Sequence, residues 1–381
     1  MSRRHAQTGY IALATAAILL LATSIYIGRG LVRHSPSGES ERARTLALRD
    51  ARYALLARAA LEDSTPGTLP CPDIDGDGDS DNANCSIAQP EALGCLPWRT
   101  LGLPPGEQYG LARLWYALSP TFKNSHSAQN RNTAAEQINL DNFGSLTLRS
   151  LAGNTPAIAV IIAPGAPNTG QNRSGLDCNA ATAPAFLESP GLTALPFSNA
   201  TGDGNIVLAA ANANFNDRLE VIDHDALFRP VLSVILNAFA SPDEPTLQRY
   251  YASTGSLPPQ ALNLSPSGYK APATIDRTTA GPVLFDHNFN GSASLQAGAA
   301  GTNCNSVVDG SGPSTKYPAS WLCYNRWYDY IQYSPSASPS SATVAQLELR
   351  LGTYASASSF SGYRCTLNVL SAGKTDPVQC Q

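Results

Sequence analysis

Five aspartates stand at alternate positions in Asp73-x-Asp75-x-Asp77-Gly78-Asp79-x-Asp81. Carboxylates this close repel one another unless a cation gathers them. Counted from Asp73, their oxygens fall at positions 1, 3, 5, 7 and 9 of a calcium loop, with Gly78 at position 6, where such a chain turns sharply. Calcium takes about six to eight oxygens, so the spacing predicts a Ca2+ site on Asp73, Asp75, Asp77, Asp79 and Asp81; a solvated acidic loop is the alternative. Position 12 is Asn84 in place of a bidentate Glu, which lowers the expected affinity or moves the last ligand elsewhere. Asp286-x-Asn288-x-Asn290-Gly291 begins a similar pattern, which Ala297 ends.

Catalytic chemistry finds little to stand on. His224 lies between Asp223 and Asp225, where a metal ligand or a base competes with the capping role these residues take at helix starts; capping is the expected role. No Gly-x-Ser-x-Gly, Gly-rich phosphate loop or His-Glu-x-x-His is present, and no catalytic residue is expected. Cys178 with a distant His would imitate a thiol hydrolase, but an exported cysteine among seven others is more often bridged. Trp98 and Trp115 are expected in the core. The eight cysteines (Cys71, Cys85, Cys95, Cys178, Cys304, Cys323, Cys365 and Cys380) form an even set without Cys-x-x-Cys or zinc spacing. They are expected to be disulfides in an oxidising compartment, free buried thiols being the alternative. Proximity suggests Cys304 with Cys323 and Cys365 with Cys380, and the other pairings stay open.

The chain that must position these groups has 381 residues, room for two or three domains and a real core. Only 14% of residues are charged, and 30 Gly with 28 Pro point to long loops. The net charge of −4, with 25 scattered basic residues, leaves no basic patch, and no nucleic acid partner is expected. From Ala6 to Gly28 there is no charge, and Tyr10 to Ile27 is almost wholly apolar, enough for one transmembrane helix. Arg3 and Arg4 ahead of it favour a cytoplasmic N-terminus and export of everything beyond. A cleaved signal peptide is the alternative, but the apolar run ends in Tyr26-Ile27-Gly28-Arg29 with no Ala-x-Ala before the charges.

Beyond the anchor, His34-Ser35-Pro36-Ser37-Gly38 is expected to break the helix. A helix over 40–62 follows, with Leu46, Tyr53, Leu56 and Ala60 near one face and Arg42, Arg49 and Arg52 largely off it; an independent surface helix after a linker is the alternative. Strands are expected over Leu114 to Leu118, Leu146 to Leu151 and Ala157 to Ala163. Helices are expected over Asp225 to Ala240 and Glu244 to Ala252, a Ser-, Pro- and Thr-rich loop over 253–280, and strands over Trp327 to Tyr333, Val344 to Leu351 and Arg364 to Leu370.

Arg3-Arg4-His5-Ala6-Gln7-Thr8-Gly9-Tyr10, a short basic leader ending in Gly ahead of an aromatic residue and an apolar helix, resembles the leader of type IV prepilins and pseudopilins. The resemblance implies cleavage by a prepilin peptidase between Gly9 and Tyr10, and methylation of the new N-terminus. Ala14 stands where most members carry Glu, whose carboxylate neutralises the terminal amine of a neighbouring subunit. That departure favours a low-copy minor or tip subunit over a bulk one. Leu69-Pro70-Cys71-Pro72-Asp73, Leu96-Pro97-Trp98, Val160-Ile161-Ile162-Ala163-Pro164-Gly165, Gly170-Gln171-Asn172-Arg173 and Phe215-Asn216-Asp217-Arg218 are similar to blocks in large prepilin-type proteins of Gram-negative bacteria. The tip pseudopilin of type II secretion also binds calcium, an analogy for the acidic loop.

The expected fold is therefore α+β and pilin-like: a transmembrane helix continuing into an amphipathic helix packed on an antiparallel sheet, with a helical insertion and long loops. Its parts would be a leader (1–9), the membrane helix (10–28), linker and amphipathic helix (29–62), a sheet region (63–210) carrying the acidic loop 73–84, a helical insertion (211–255) and a β-rich region (256–381). The expected function is non-enzymatic: a minor pilin or pseudopilin subunit of a type IV pilus or type II secretion filament. It would be single-pass in the inner membrane, with its body in the periplasm or on an extracellular filament, and its partners would be other pilin or pseudopilin subunits. The alternative is a single-helix-anchored, exported calcium-dependent adhesin or binding protein outside any filament, and an anchored enzyme is a third reading.

Overall fold

A computed structural model describes residues 36–62, 65–81, 85, 92–109, 111–125, 136–173, 177–240, 281–282, 321, 325, 327, 330, 332–335, 345–356, 359–369 and 375–381. The leader, with Gly9 and Tyr10, the expected span 10–28, the expected helix 244–252, Cys304, Cys323 and the second Asp/Asn pattern lie outside these residues.

The centre is a four-stranded antiparallel sheet in the order β1 (Ala92–Cys95), β2 (Trp115–Leu118), β5 (Ala159–Ala163), β7 (Arg218–Ile222). Successive strand residues face opposite sides, and here both sides are buried. Tyr116, Leu118, Ala159, Ile161 and Ala163 join one core with the two helices, while Trp115, Ala117, Val160 and Ile162 join a second. That second core is closed by a three-stranded sheet of β4 (Gly153–Ala157), β3 (Leu146–Ser150) and β6 (Asn205–Val207), in which β3 pairs antiparallel with β4 and parallel with β6. An unbroken apolar run such as Ala159-Val160-Ile161-Ile162-Ala163 needs a layer on each face, and this sheet has both.

Helix α1 (Pro36–Leu61) lies against β5 and β7 and against helix α2 (His224–Ala240). The expected start of this helix at residue 40 is corrected: Pro36, Ser37 and Gly38 already open α1, because proline is tolerated in the first turn, where its missing N–H has no partner to lose, while residues 34 and 35 of the expected break lie outside the described residues. The buried face is also corrected. It is Ala47, Leu48, Ala51, Leu55 and Ala59, whereas Leu46 and Tyr53 are 44% and 60% exposed. Small alanines let the helix axis approach the sheet closely, and the fully buried Leu55 contributes about 1.5–3 kcal/mol. Helix α2 turns Leu227, Phe228, Val231, Leu232, Ile235 and Leu236 into the same core and packs on a long hairpin.

That hairpin belongs to a five-stranded antiparallel sheet of β12 (Gln379–Cys380), β11 (Ser359–Val369), β10 (Ala345–Ser356), β9 (Gln332–Pro335) and β8 (Gly281–Pro282). Leu347, Leu349 and Leu351 oppose Leu367, Cys365 and Tyr363, giving the hairpin its apolar face. Trp327, expected in a strand, instead sits in a tight helical turn packed on Phe228.

The pilin-like layout is thus corrected. Among the described residues there are two helices and three sheets, no single sheet carries the fold, and no helix is long and apolar enough to cross a membrane. The departure follows from pairing: β3 takes β4 and β6 as neighbours instead of joining β2 and β5, so the predicted strands divide between two layers.

Candidate metal centre

The acidic loop hangs from the edge strand β1. Asp73 and Cys95 exchange backbone hydrogen bonds of 3.0 and 2.8 Å, which fixes the first aspartate to the sheet. From there the chain curls around the Asp73 carboxylate: Oδ1 accepts the Gly76 amide at 2.6 Å and Oδ2 the Gly78 amide at 2.9 Å. Both glycines have positive φ, +82° and +92°. A Cβ on Gly78 would lie 2.5 Å from the Trp98 ring, so this position requires glycine twice over, for its dihedral and for the indole stacked on it. Asp75 and Asp77 each accept the amide two residues on, at 3.1 and 2.8 Å, the local turn that aspartate favours. Asp81 closes the curl by accepting the Ile74 amide at 2.6 Å.

Three of the five predicted carboxylates converge. Oxygens of Asp73, Asp75 and Asp81 lie within 4.8 Å of one another, running from buried through half-buried Asp81 to exposed Asp75. Asp77 and Asp79 are outside this group; Asp79 pairs with Arg99 at 2.9 Å. Both partners of that pair are half exposed, so solvent screens it. Burial pushes the Asp73 carboxyl up from its ordinary value, the Gly76 and Gly78 amides oppose this, and the carboxylates of Asp77 and Asp75 add to it. A donor set made only of oxygens, carrying up to three negative charges, suits a hard cation such as Ca2+ or Mg2+.

Two disulfides brace the loop. Cys71–Cys85 encloses all five aspartates, and Cys95–Cys178 ties β1 to a segment whose Cys178 amide donates to Ile74 O at 2.7 Å. Cys365–Cys380 clasps β11 to β12, as proximity suggested. Sequence reasoning left the first two pairings open. With Cys178 bridged, a thiol nucleophile there is excluded.

Other singled-out residues have structural partners. Asp223 caps α2 by accepting the Ala226 amide at 2.8 Å. The His224 ring stacks on Phe143 and meets Asp225 Oδ1 at 2.9 Å and Leu140 O at 3.0 Å. Trp115 is fully buried against Phe186, but Trp98 is half buried, where a core position was expected. It walls a cavity of about 170 Å³ with Leu103, Pro104 and Tyr109, and Asp73 and Gly76 of the loop form another side. This cavity has no counterpart in the sequence reading, because its walls come from separate stretches. In comparisons with protein families, with curated proteins and with solved structures, the chain matches none of them.

Proposed function

We propose that the chain is a non-enzymatic, low-copy subunit of a type IV pilus or type II secretion filament, made as a prepilin and anchored in the inner membrane. The observation that carries this reading is the leader Arg3 to Gly9 directly ahead of Tyr10 and an apolar run. Three disulfides among the described residues agree with an exported body, since such bridges persist in oxidising compartments. Prepilin peptidase, neighbouring pilin or pseudopilin subunits and the membrane are its partners. The proposal rests on processing and export.

The test is intact mass and N-terminal sequencing of protein purified from membranes of cells with and without a prepilin peptidase. A start at Tyr10, methylated, only in cells with the peptidase is the expected outcome. An uncut Met1, or a start beyond Gly28, would sink it. In that case the second reading takes over, a tethered or released calcium-dependent binding protein, favoured by the convergence of Asp73, Asp75 and Asp81 beside a cavity of about 170 Å³.

A further inference from the structure

The connection between β1 and β2 is far longer than their pairing needs. Neighbouring antiparallel strands can be joined by as few as about two residues, yet here the chain travels from Leu96 to Leu114, and among its described residues this stretch carries only the short 3-10 turn Gly106–Tyr109. Connections longer than about 12–15 residues without secondary structure of their own usually serve a function. This one is closed on itself: the Leu96 amide donates to Leu114 O at 2.8 Å at its base, the Leu103 amide to Trp98 O at 2.8 Å and the Leu111 amide to Gly106 O at 3.1 Å. With α1 and the start of the acidic loop it encloses the cavity of about 170 Å³. Buried Ala47, Leu96 and Leu114 line the inner end, and half-buried Trp98, Pro104 and Tyr109 line the way out. The Tyr109 hydroxyl is anchored on Asp50 of α1 at 3.4 Å.

Three ionisable side chains, Asp73, Glu107 and Arg113, line the same space. Each oxygen of the buried Asp73 carboxylate accepts one amide, from Gly76 or Gly78, and can accept another donor. The Glu107 side chain, 64% exposed, stands at the mouth 3.9 Å from Arg113 Nε, longer than a hydrogen bond. Arg113 also reaches Cys178 Sγ at 3.6 Å through Nη1. Charge is thus offset within the wall: Glu107 faces Arg113, and Asp73 faces two amides. What remains is a set of donors and acceptors around an otherwise carbon-rich space.

We propose that this cavity binds one uncharged pyranose sugar. A closed cavity of about 150 Å³ takes one benzene ring, so this one, open past Glu107, holds a single six-membered ring with substituents toward the mouth. A purely apolar ring would fill the volume but strip water from three polar side chains without replacing their hydrogen bonds, which costs affinity. An anion would meet two carboxylates, and a cation would meet the guanidinium. A pyranose satisfies both demands, because its C–H faces lie against Trp98, Pro104 and Tyr109 while each hydroxyl can donate to a carboxylate and accept from Arg113. The assignment needs neither the filament role nor a bound cation.

Titration of the intact, oxidised chain, in a detergent without a sugar head group, tests this. The probes are glucose, galactose, mannose and N-acetylglucosamine, each as reducing sugar and as methyl glycoside, with glucosamine and glucuronate as charged analogues and phenol as an apolar ring. A chelator is present throughout, so that failure of the calcium reading and failure of this one are told apart. Binding is read from Trp emission and saturation-transfer NMR. At least one neutral sugar should bind saturably with a Kd of about 1 mM, the range a ligand of one ring reaches. A response to the reducing form alone assigns a free sugar, and a response to both forms the end of a glycan. Glu107→Ala should weaken binding about tenfold, and Leu103→Trp, which fills the cavity, should abolish it. Absence of saturable binding by every neutral sugar overturns the proposal. So does tighter binding of phenol or of a charged analogue, or a sugar response that both variants leave unchanged. Should Leu103→Trp fail to fold, Glu107→Ala, at an exposed position, decides alone.

Discussion

Gly78 is the residue on which the acidic loop is most exacting. Its φ of +92° and the Trp98 ring 2.5 Å from where a Cβ would stand leave no room for a side chain. Gly78→Ala should lose about 1–3 kcal/mol from backbone strain, with more from displacing the indole, measurable as a lower denaturation midpoint and a changed Trp emission. An unchanged midpoint would mean the turn relaxes freely. The need for glycine at this place was legible from the alternating aspartates alone. Which aspartates converge was not, since Asp79 is drawn aside by Arg99, twenty residues on, and Asp81 is turned inward by the Ile74 amide. His224 shows the same limit: its neighbours suggested a helix start, but its bond to Leu140 comes from across the fold.

The loop as an element makes a sharper calcium test than its composition did. If Asp73, Asp75 and Asp81 form the site, calcium should raise Tm and chelation lower it, a saturating ion adding about 2.7 kcal/mol at a hundredfold excess over Kd. Asp75→Asn and Asp81→Asn should abolish that response, while Asp77→Ala keeps most of it. A response lost with Asp77 but intact without Asp81 would contradict the geometry, and no response in wild type would remove the metal. Among the other elements, α2 and the strands β2, β3 and β5 stand where periodicity put them. The inward face of α1 was misjudged because large side chains draw the eye; alanines, which cost little to desolvate and allow close approach, make the contact instead. Layering was illegible because the partner of β3 is set by β6, more than fifty residues on.

At the scale of the whole molecule, the cross-links set how the parts hold together. With Cys71–Cys85, Cys95–Cys178 and Cys365–Cys380 formed, thiol titration of the unfolded, unreduced chain should find no more than the two sulfurs of Cys304 and Cys323. Removing Cys71 and Cys85 together as serines should cost about 3 kcal/mol for a loop of this length. More than two free thiols would undo that account. The even cysteine count announced the bridges, but pairing over 83 residues is a property of the folded chain only. The Cys71–Cys85 ring has a further consequence. A protease that cuts the exposed aspartate turn leaves both new ends tied by the sulfur bridge, so the nicked protein keeps its mass apart from one added water and migrates as one chain until a reductant separates the pieces. This exposed segment can thus be severed without being shed.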